Sequence, residues 1–260
     1  MKKLIYLAIL LFGIQTTNAQ MFGSLTLPGL GGATNANAAT YSGDGVSVGA
    51  IALFSSKINP TVTALSWNTG YSVLGGKYTV GIAQPVIFND NFSSNFLPVT
   101  AFTPIQLSWD LDNLKLQGSY SFMYGQDLPL NGHLFSLKAT RYFNENKYSL
   151  NGGIIYEYRH KKGTSEKEFG DAFIVEANFS RHFTKGKTLG LLGYYNANIS
   201  PEYVNSEPIF NDKSSVSGIG IDAGIPLGKH FFMNAKYIQD LTKNEAIKAN
   251  KAVIALFYKF

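Results

Sequence analysis

Eight charged residues stand where pairing or proton chemistry could occur: Asp110, Lys115, Lys138, Glu157, Arg159, Glu176, Asp222 and Lys236. Each falls in a run where polar and apolar residues alternate, on the more polar side of that alternation. In YSLNGGIIYEYRH, Glu157 and Arg159 share parity with Ser149, Asn151 and Gly153, while Tyr148, Leu150, Ile154, Tyr156 and Tyr158 share the other. Side chains two apart on a strand point the same way, with Cα atoms roughly 6.6 Å apart. Glu157 and Arg159 are therefore expected to meet, joined by Glu176 of the following segment and Lys138 of the preceding one. Confined charges must be paired, because removing one partner strands the other at a cost of several kcal/mol. Such a set either fills an interior with ion pairs or lines a water-filled route; the residues leave both open.

Other constellations carry less chemistry. His133, His160, His182 and His230 each fall at or near the end of an alternating run, and no two have the spacing of metal ligands. His133 and Ser136 are close in sequence but of opposite parity, so on one strand they face apart and cannot act as base and nucleophile. SGIGIDAG offers a Gly-x-Gly, but a dinucleotide fingerprint needs a strand, a turn and then a helix. Here Ile219, Ile221, Ala223 and Ile225 alternate straight through the glycines, as in a strand whose glycines face a crowded interior. No catalytic, cofactor-binding or metal-binding set is expected.

The elements that position these residues follow from the period of two. Twelve alternating segments can be read, at 46–56, 62–73, 77–89, 103–110, 113–124, 134–143, 148–160, 171–183, 188–200, 214–225, 231–240 and 249–260. KNEAIKANKA is the only stretch with much helix propensity, and it lies between two strands. LGGK, DLDN, NENK, TKGK and PLGK read as tight turns. Longer polar loops at 89–100, 125–133, 161–170, 201–213 and 242–250 alternate strictly with them; only the first connection, near 57–60, breaks the rule by being short. Short turns on one side and longer loops on the other are how outer-membrane barrels are built, with the turns periplasmic and the loops extracellular. An antiparallel transmembrane barrel of about twelve strands over residues 45–260 is the predicted fold. Tyr148 and Tyr158 measure its height: ten steps on a strand tilted about 45° span roughly 23 Å, near the ~25 Å apolar band of such barrels.

The two ends of the chain agree. Lys2 and Lys3, an apolar run from Leu4 to Ile14 and a small-residue site at Ala19 predict a cleaved signal peptide over residues 1–19. The apolar run is shorter than the ~20 residues of a spanning helix. Residues 20–44, rich in Gly, Ala and Asn, predict a leader or a small plug. The last ten residues, KAVIALFYKF, place Ile254, Leu256, Tyr258 and Phe260 on a lipid-facing side and Val253 on the inner one. An arginine at Leu256 is then expected to do more damage than one at Val253. A terminal strand this apolar must pair with the first strand, since open edges cannot be satisfied in lipid. Charged residues make up 15% of the chain against Gly 26, Tyr 15 and Phe 19, with Cys 0. Few charges and many aromatics suit an outer surface that meets lipid, against roughly 25% charged in soluble domains. The net charge of +5 is scattered, which excludes a nucleic-acid stripe.

The order TPIQLSWDLDN, FGDAFIVEANFSRHF, LGLLGYYNANIS, SGIGIDAGIPLGKHFFMNAKYIQDL and KAVIALFYKF resembles the outer-membrane channel family named after the meta-pathway of phenol degradation. Pro104, Leu107, Trp109, Gly170, Asp171, Gly190, Gly193, Gly218, Gly220 and Gly224 carry the match. The resemblance implies a channel akin to transporters of hydrophobic compounds, with passive uptake of small, aromatic or otherwise apolar solutes. It also implies a C-terminal signal read by the barrel-insertion machinery. Membrane lipid, that machinery and a small-molecule solute are the expected partners of a monomer. A closed structural or adhesion barrel and a membrane-embedded hydrolase are the alternatives.

Overall fold

The computed structural model describes residues 44–55, 59–88, 94–96, 99–125, 130–161, 167–168, 170–201, 203–204, 207–208, 215–244 and 250–260. The expected signal peptide and all of the expected leader but Asp44 lie outside the described residues. The strands in chain order are β1 (Gly45–Ser55), β2 (Asn59–Val73), β3 (Gly76–Phe88), β4 (Ser94–Phe96), β5 (Val99–Leu111), β6 (Leu114–Gly125), β7 (Leu130–Phe143) and β8 (Tyr148–Lys161). They continue as β9 (Lys167–Glu168), β10 (Ala172–His182), β11 (Thr188–Asn198), β12 (Tyr203–Val204), β13 (Glu207–Pro208), β14 (Ser215–Pro226), β15 (Phe231–Asn244) and β16 (Asn250–Lys259).

Twelve long strands pair with their sequence neighbours, all antiparallel, and β1 pairs with β16 to close the barrel. The closing seam runs nine residue pairs, from Ser47 opposite Lys259 to Ser55 opposite Lys251. The amide of Phe260 adds a further bond, donating to the Val46 carbonyl at 3.0 Å. The apolar terminal strand is thus the seam itself, and each of its edges meets a partner.

Backbone geometry explains the short connections. Leu74 and Gly75 both have positive φ, as a two-residue hairpin turn requires, and Lys185 and Gly186 repeat the pattern. Asn144, Glu145 and Asn146 form a run of three left-handed residues. The strand expected at 103–110 begins earlier, at Val99. Register shifts on both sides of β5, near Thr103 and Pro104, interrupt the alternation there and hide the strand's first half from a period-two reading. Proline lacks an N–H and is tolerated at such bulges; here the Tyr78 hydroxyl donates to the Pro104 carbonyl at 2.7 Å. Three of the expected loops contain short strands, with β4, from the loop at 89–100, pairing with β3. β9, β12 and β13 form a separate small antiparallel sheet from the connections that follow β8 and β11.

The two faces differ as the alternation predicts. Leu137, Leu191, Ile219, Ile221 and Leu256 point outward and are exposed, forming an apolar band. Tyr148 stacks on Phe179 at the periplasmic end, and Tyr158 on His133 at the other. Trp109 joins the periplasmic aromatics, its Nε1 donating to the Leu74 carbonyl at 3.0 Å.

Candidate functional site: the barrel interior

Inward side chains from β5 to β16 sort into groups at different heights. Asp110 and Lys115 face each other across the hairpin of β5 and β6 at 3.2 Å, with the Asp110 side chain 67% exposed. They form a pair at the periplasmic mouth, where Lys115 also lies over the Tyr142 ring. Deeper, Glu176 sits opposite Gly153, and Gly153 opposite Lys138, so the two charges flank a residue with no side chain. Asp222 is directly opposite Lys236. Lys236 interacts with both Glu176 and Asp222, which ties four of the expected residues into one central group.

Glu157 and Arg159 form their own pair, with Arg159 Nε donating to Glu157 Oε1 at 2.9 Å and both side chains fully buried. They do not join the central group as expected. Register puts Glu157 opposite Ala172 and Leu134, whereas Glu176 and Lys138 meet β8 at Gly153. The offset is four residues, about 13 Å along the strand. Parity predicts which face a residue takes, but height is set by register, which parity does not contain.

A third group escaped the sequence reading. Lys251 Nζ lies 2.8 Å from Asp240 Oδ1 and donates to Tyr194 Oη at 2.6 Å. The Tyr194 hydroxyl in turn donates to Asp240. Around this triad pack Leu53, Leu192, Val216, Ile238 and Val253, an apolar cluster inside the barrel. Asp240 shares parity with Lys236, so the rule that found Lys236 also reaches Asp240. Lys251 likewise shares parity with Val253. Val253 is only 1% exposed, so the milder effect expected of an arginine there is corrected: its side faces packed apolar groups, not open water.

Uncharged polar residues extend from the central group along the wall. Thr140 Oγ1 donates to Asn151 Oδ1 at 2.8 Å, Asn151 Nδ2 to Asn178 Oδ1 at 3.0 Å, and Asn178 Nδ2 to Asp222 Oδ1 at 2.5 Å. Asn234 Nδ2 reaches Asp222 Oδ2 at 3.4 Å. On the far wall Thr79 Oγ1 donates to Asn68 Oδ1 at 2.7 Å, and Gln117 Nε2 to Ser108 Oγ at 3.3 Å. All are buried. Together they form a collar of amides and hydroxyls that steps from strand to strand. Gly190 makes part of it possible: a Cβ there would collide with Asp222 Oδ1 and Ser180 Oγ. The glycines of SGIGIDAG act similarly, since a Cβ at Gly218 would collide with Tyr194.

The histidines take other places. His133 lies on the outer face, stacked on His160, with Tyr120 Oη 2.8 Å from its Nδ1. Ser136 faces inward and bonds Ser119. The two therefore point apart, and no His133–Ser136 dyad exists. His182 Nε2 lies 2.8 Å from Ser149 Oγ near the periplasmic mouth. Among the described residues no group of three His, Cys, Asp or Glu side chains could hold a metal ion.

The model of the family described as "Putative MetA-pathway of phenol degradation" matches residues 34–254. The chain belongs to this family. Solved structures share its fold. The COG4313 outer membrane channel from Pseudomonas putida F1 superposes with a TM-score of 0.69 at 10% identity, over 85% of this chain and 98% of that one. The NanC porin gives 0.55 at 7% identity, over 83% of this chain and all (100%) of that one. The transport unit of the autotransporter AIDA-I from Escherichia coli gives 0.51 at 12% identity, over 83% and 89%. No curated protein matches the sequence. The fold of this family member is that of a twelve-stranded outer-membrane barrel.

Proposed function

We propose that the protein is an outer-membrane channel for passive uptake of small compounds, with aromatic or otherwise apolar compounds as the class that the family description suggests. The observation that carries this reading is the closed barrel with an apolar outside and a polar inside, joined at the β1–β16 seam. Lipid satisfies the first surface, and only water or solute suits the half-buried hydroxyls of the second. The eight expected charges, Asp110, Lys115, Lys138, Glu157, Arg159, Glu176, Asp222 and Lys236, line or buttress that interior. Export by a cleaved signal peptide, insertion guided by Ile254, Leu256, Tyr258 and Phe260, and function as a monomer complete the reading.

The test is planar-bilayer recording of purified protein, with osmotic swelling of proteoliposomes for uncharged solutes. Discrete conductance steps are expected. The protein should also fractionate with the outer membrane and migrate faster on gels when unheated. Recovery as a soluble protein without detergent would end the membrane reading. A closed structural barrel is the second reading, favoured by the apolar cluster of Leu53, Leu192, Val216, Ile238 and Val253 inside the barrel. It predicts an electrically silent bilayer.

A further inference from the structure

The two sides of the interior are packed differently. On β8, β10, β11 and β14–β16 most inward side chains are buried, Ser149 and Ser180 at 0% and 1% exposure among them. On β2–β7 a run of inward positions is small and half-buried, Ala64, Ser66, Ala83, Thr103, Ser119 and Ser121, whereas Asn68, Thr79, Ser108, Gln117, Met123 and Thr140 beside them are buried. A side chain that reaches so little beyond the backbone stays accessible only if space lies in front of it. The hydroxyls here bond one another across strands, Thr103 with Ser121 at 2.7 Å and Ser119 with Ser136 at 2.6 Å, and each keeps a lone pair for a passing molecule.

Buried charge follows the same division, while the more exposed Asp110–Lys115 pair stands at the mouth of the open side. The buried carboxylates Glu157, Glu176, Asp222 and Asp240 stand on the packed side, with Arg159, Lys236 and Lys251 among them. Lys138, on β7, borders the open side and interacts with Glu176. Toward the periplasmic turns the open wall passes the neutral pairs Asn68–Thr79 and Ser108–Gln117, with the Asp110–Lys115 ion pair beyond them at the mouth.

We infer that solute passes off the barrel axis, along the β2–β7 wall, with these two neutral pairs as the narrowest level. The packed side is a fixed buttress, and the route suits small uncharged molecules that can exchange a hydrogen bond with a hydroxyl or amide. This rests on the channel reading and assigns it a path and a solute class.

The chain has Cys 0, so single cysteines report individually. Full-length protein in bilayers would be treated with a charged, membrane-impermeant methanethiosulfonate reagent. Ser119→Cys and Ser121→Cys should be labelled and lose most of their current. Ser149→Cys and Ser180→Cys should remain unlabelled and conducting. The reversal potential of the wild type in a potassium chloride gradient should stay near zero. Equal labelling and block on the packed side would overturn the off-axis path while leaving the channel standing. Labelling of Ser119→Cys without loss of current would show a blind recess and also overturn it. Strong cation or anion selectivity would refute the uncharged route. If the wild type passes neither current nor solute, the channel reading fails, and the path with it.

Discussion

Asp240 on β15 and Lys251 on β16 meet inside the barrel at 2.8 Å, their residues 0% and 2% exposed, with the Tyr194 hydroxyl bonded to both. Two ions this far from water hold only because each has the other and a third polar group. Removing one partner should therefore be far worse than removing both. Asp240→Ala or Lys251→Ala alone should lower stability by about 3–5 kcal/mol. Asp240→Leu combined with Lys251→Met should recover much of that loss. Urea unfolding in detergent measures it, and losses that simply add would show that the pair is not coupled.

The Glu157–Arg159 pair and the central Lys236 group are offset along β8, at Glu157 and at Gly153. Arg159→Ala should remove the ion pair of the fully buried Glu157 and cost about 3–5 kcal/mol. Combined with Lys236→Met, the two effects should add within roughly 0.5 kcal/mol, as for independent sites. A coupling energy well above that would mean one continuous network.

Gly190 lies where Asp222, Ser180 and Asn178 converge. Gly190→Ala should push these groups apart and cost about 1–3 kcal/mol by overpacking. Gly75→Ala is the contrast, because nothing lies within 4 Å of the added methyl and only its φ of 76° is strained. A smaller loss at 190 than at 75 would count against the collar as a packed unit.

Leu256 faces lipid and Val253 faces the inner apolar cluster. Leu256→Arg should cost about 2–4 kcal/mol near mid-membrane. Val253→Arg should cost as much or more, since it buries an unpaired ion. Ser119→Arg, on the half-buried wall, should cost least. The order can be read from midpoints of unfolding; a harmless Val253→Arg would mean that the cluster is open to water.

Much of this barrel was legible in one dimension. Alternation through YSLNGGIIYEYRH places Glu157 and Arg159 on one face and the tyrosines on the other, because a strand's side chains have a period of two. The turn sequences LGGK and TKGK each carry a glycine, Gly75 and Gly186, that takes positive φ without a steric cost, so the hairpins were legible locally. The apolar end of the chain demanded a partner, since lipid offers none to an unpaired edge. What the sequence left unstated is height and neighbourhood. The stagger between strands belongs to each pairing, and the uninterrupted β8–β10 register decides that Glu176 meets Gly153 and not Glu157. The meeting of Tyr194 with Lys251, residues 57 positions apart, exists only once the sheet has curled and Gly218 has left room for the ring. Parity is a property of each strand alone, whereas registration and closure belong to the whole sheet, and they arise only when every strand has found its neighbour.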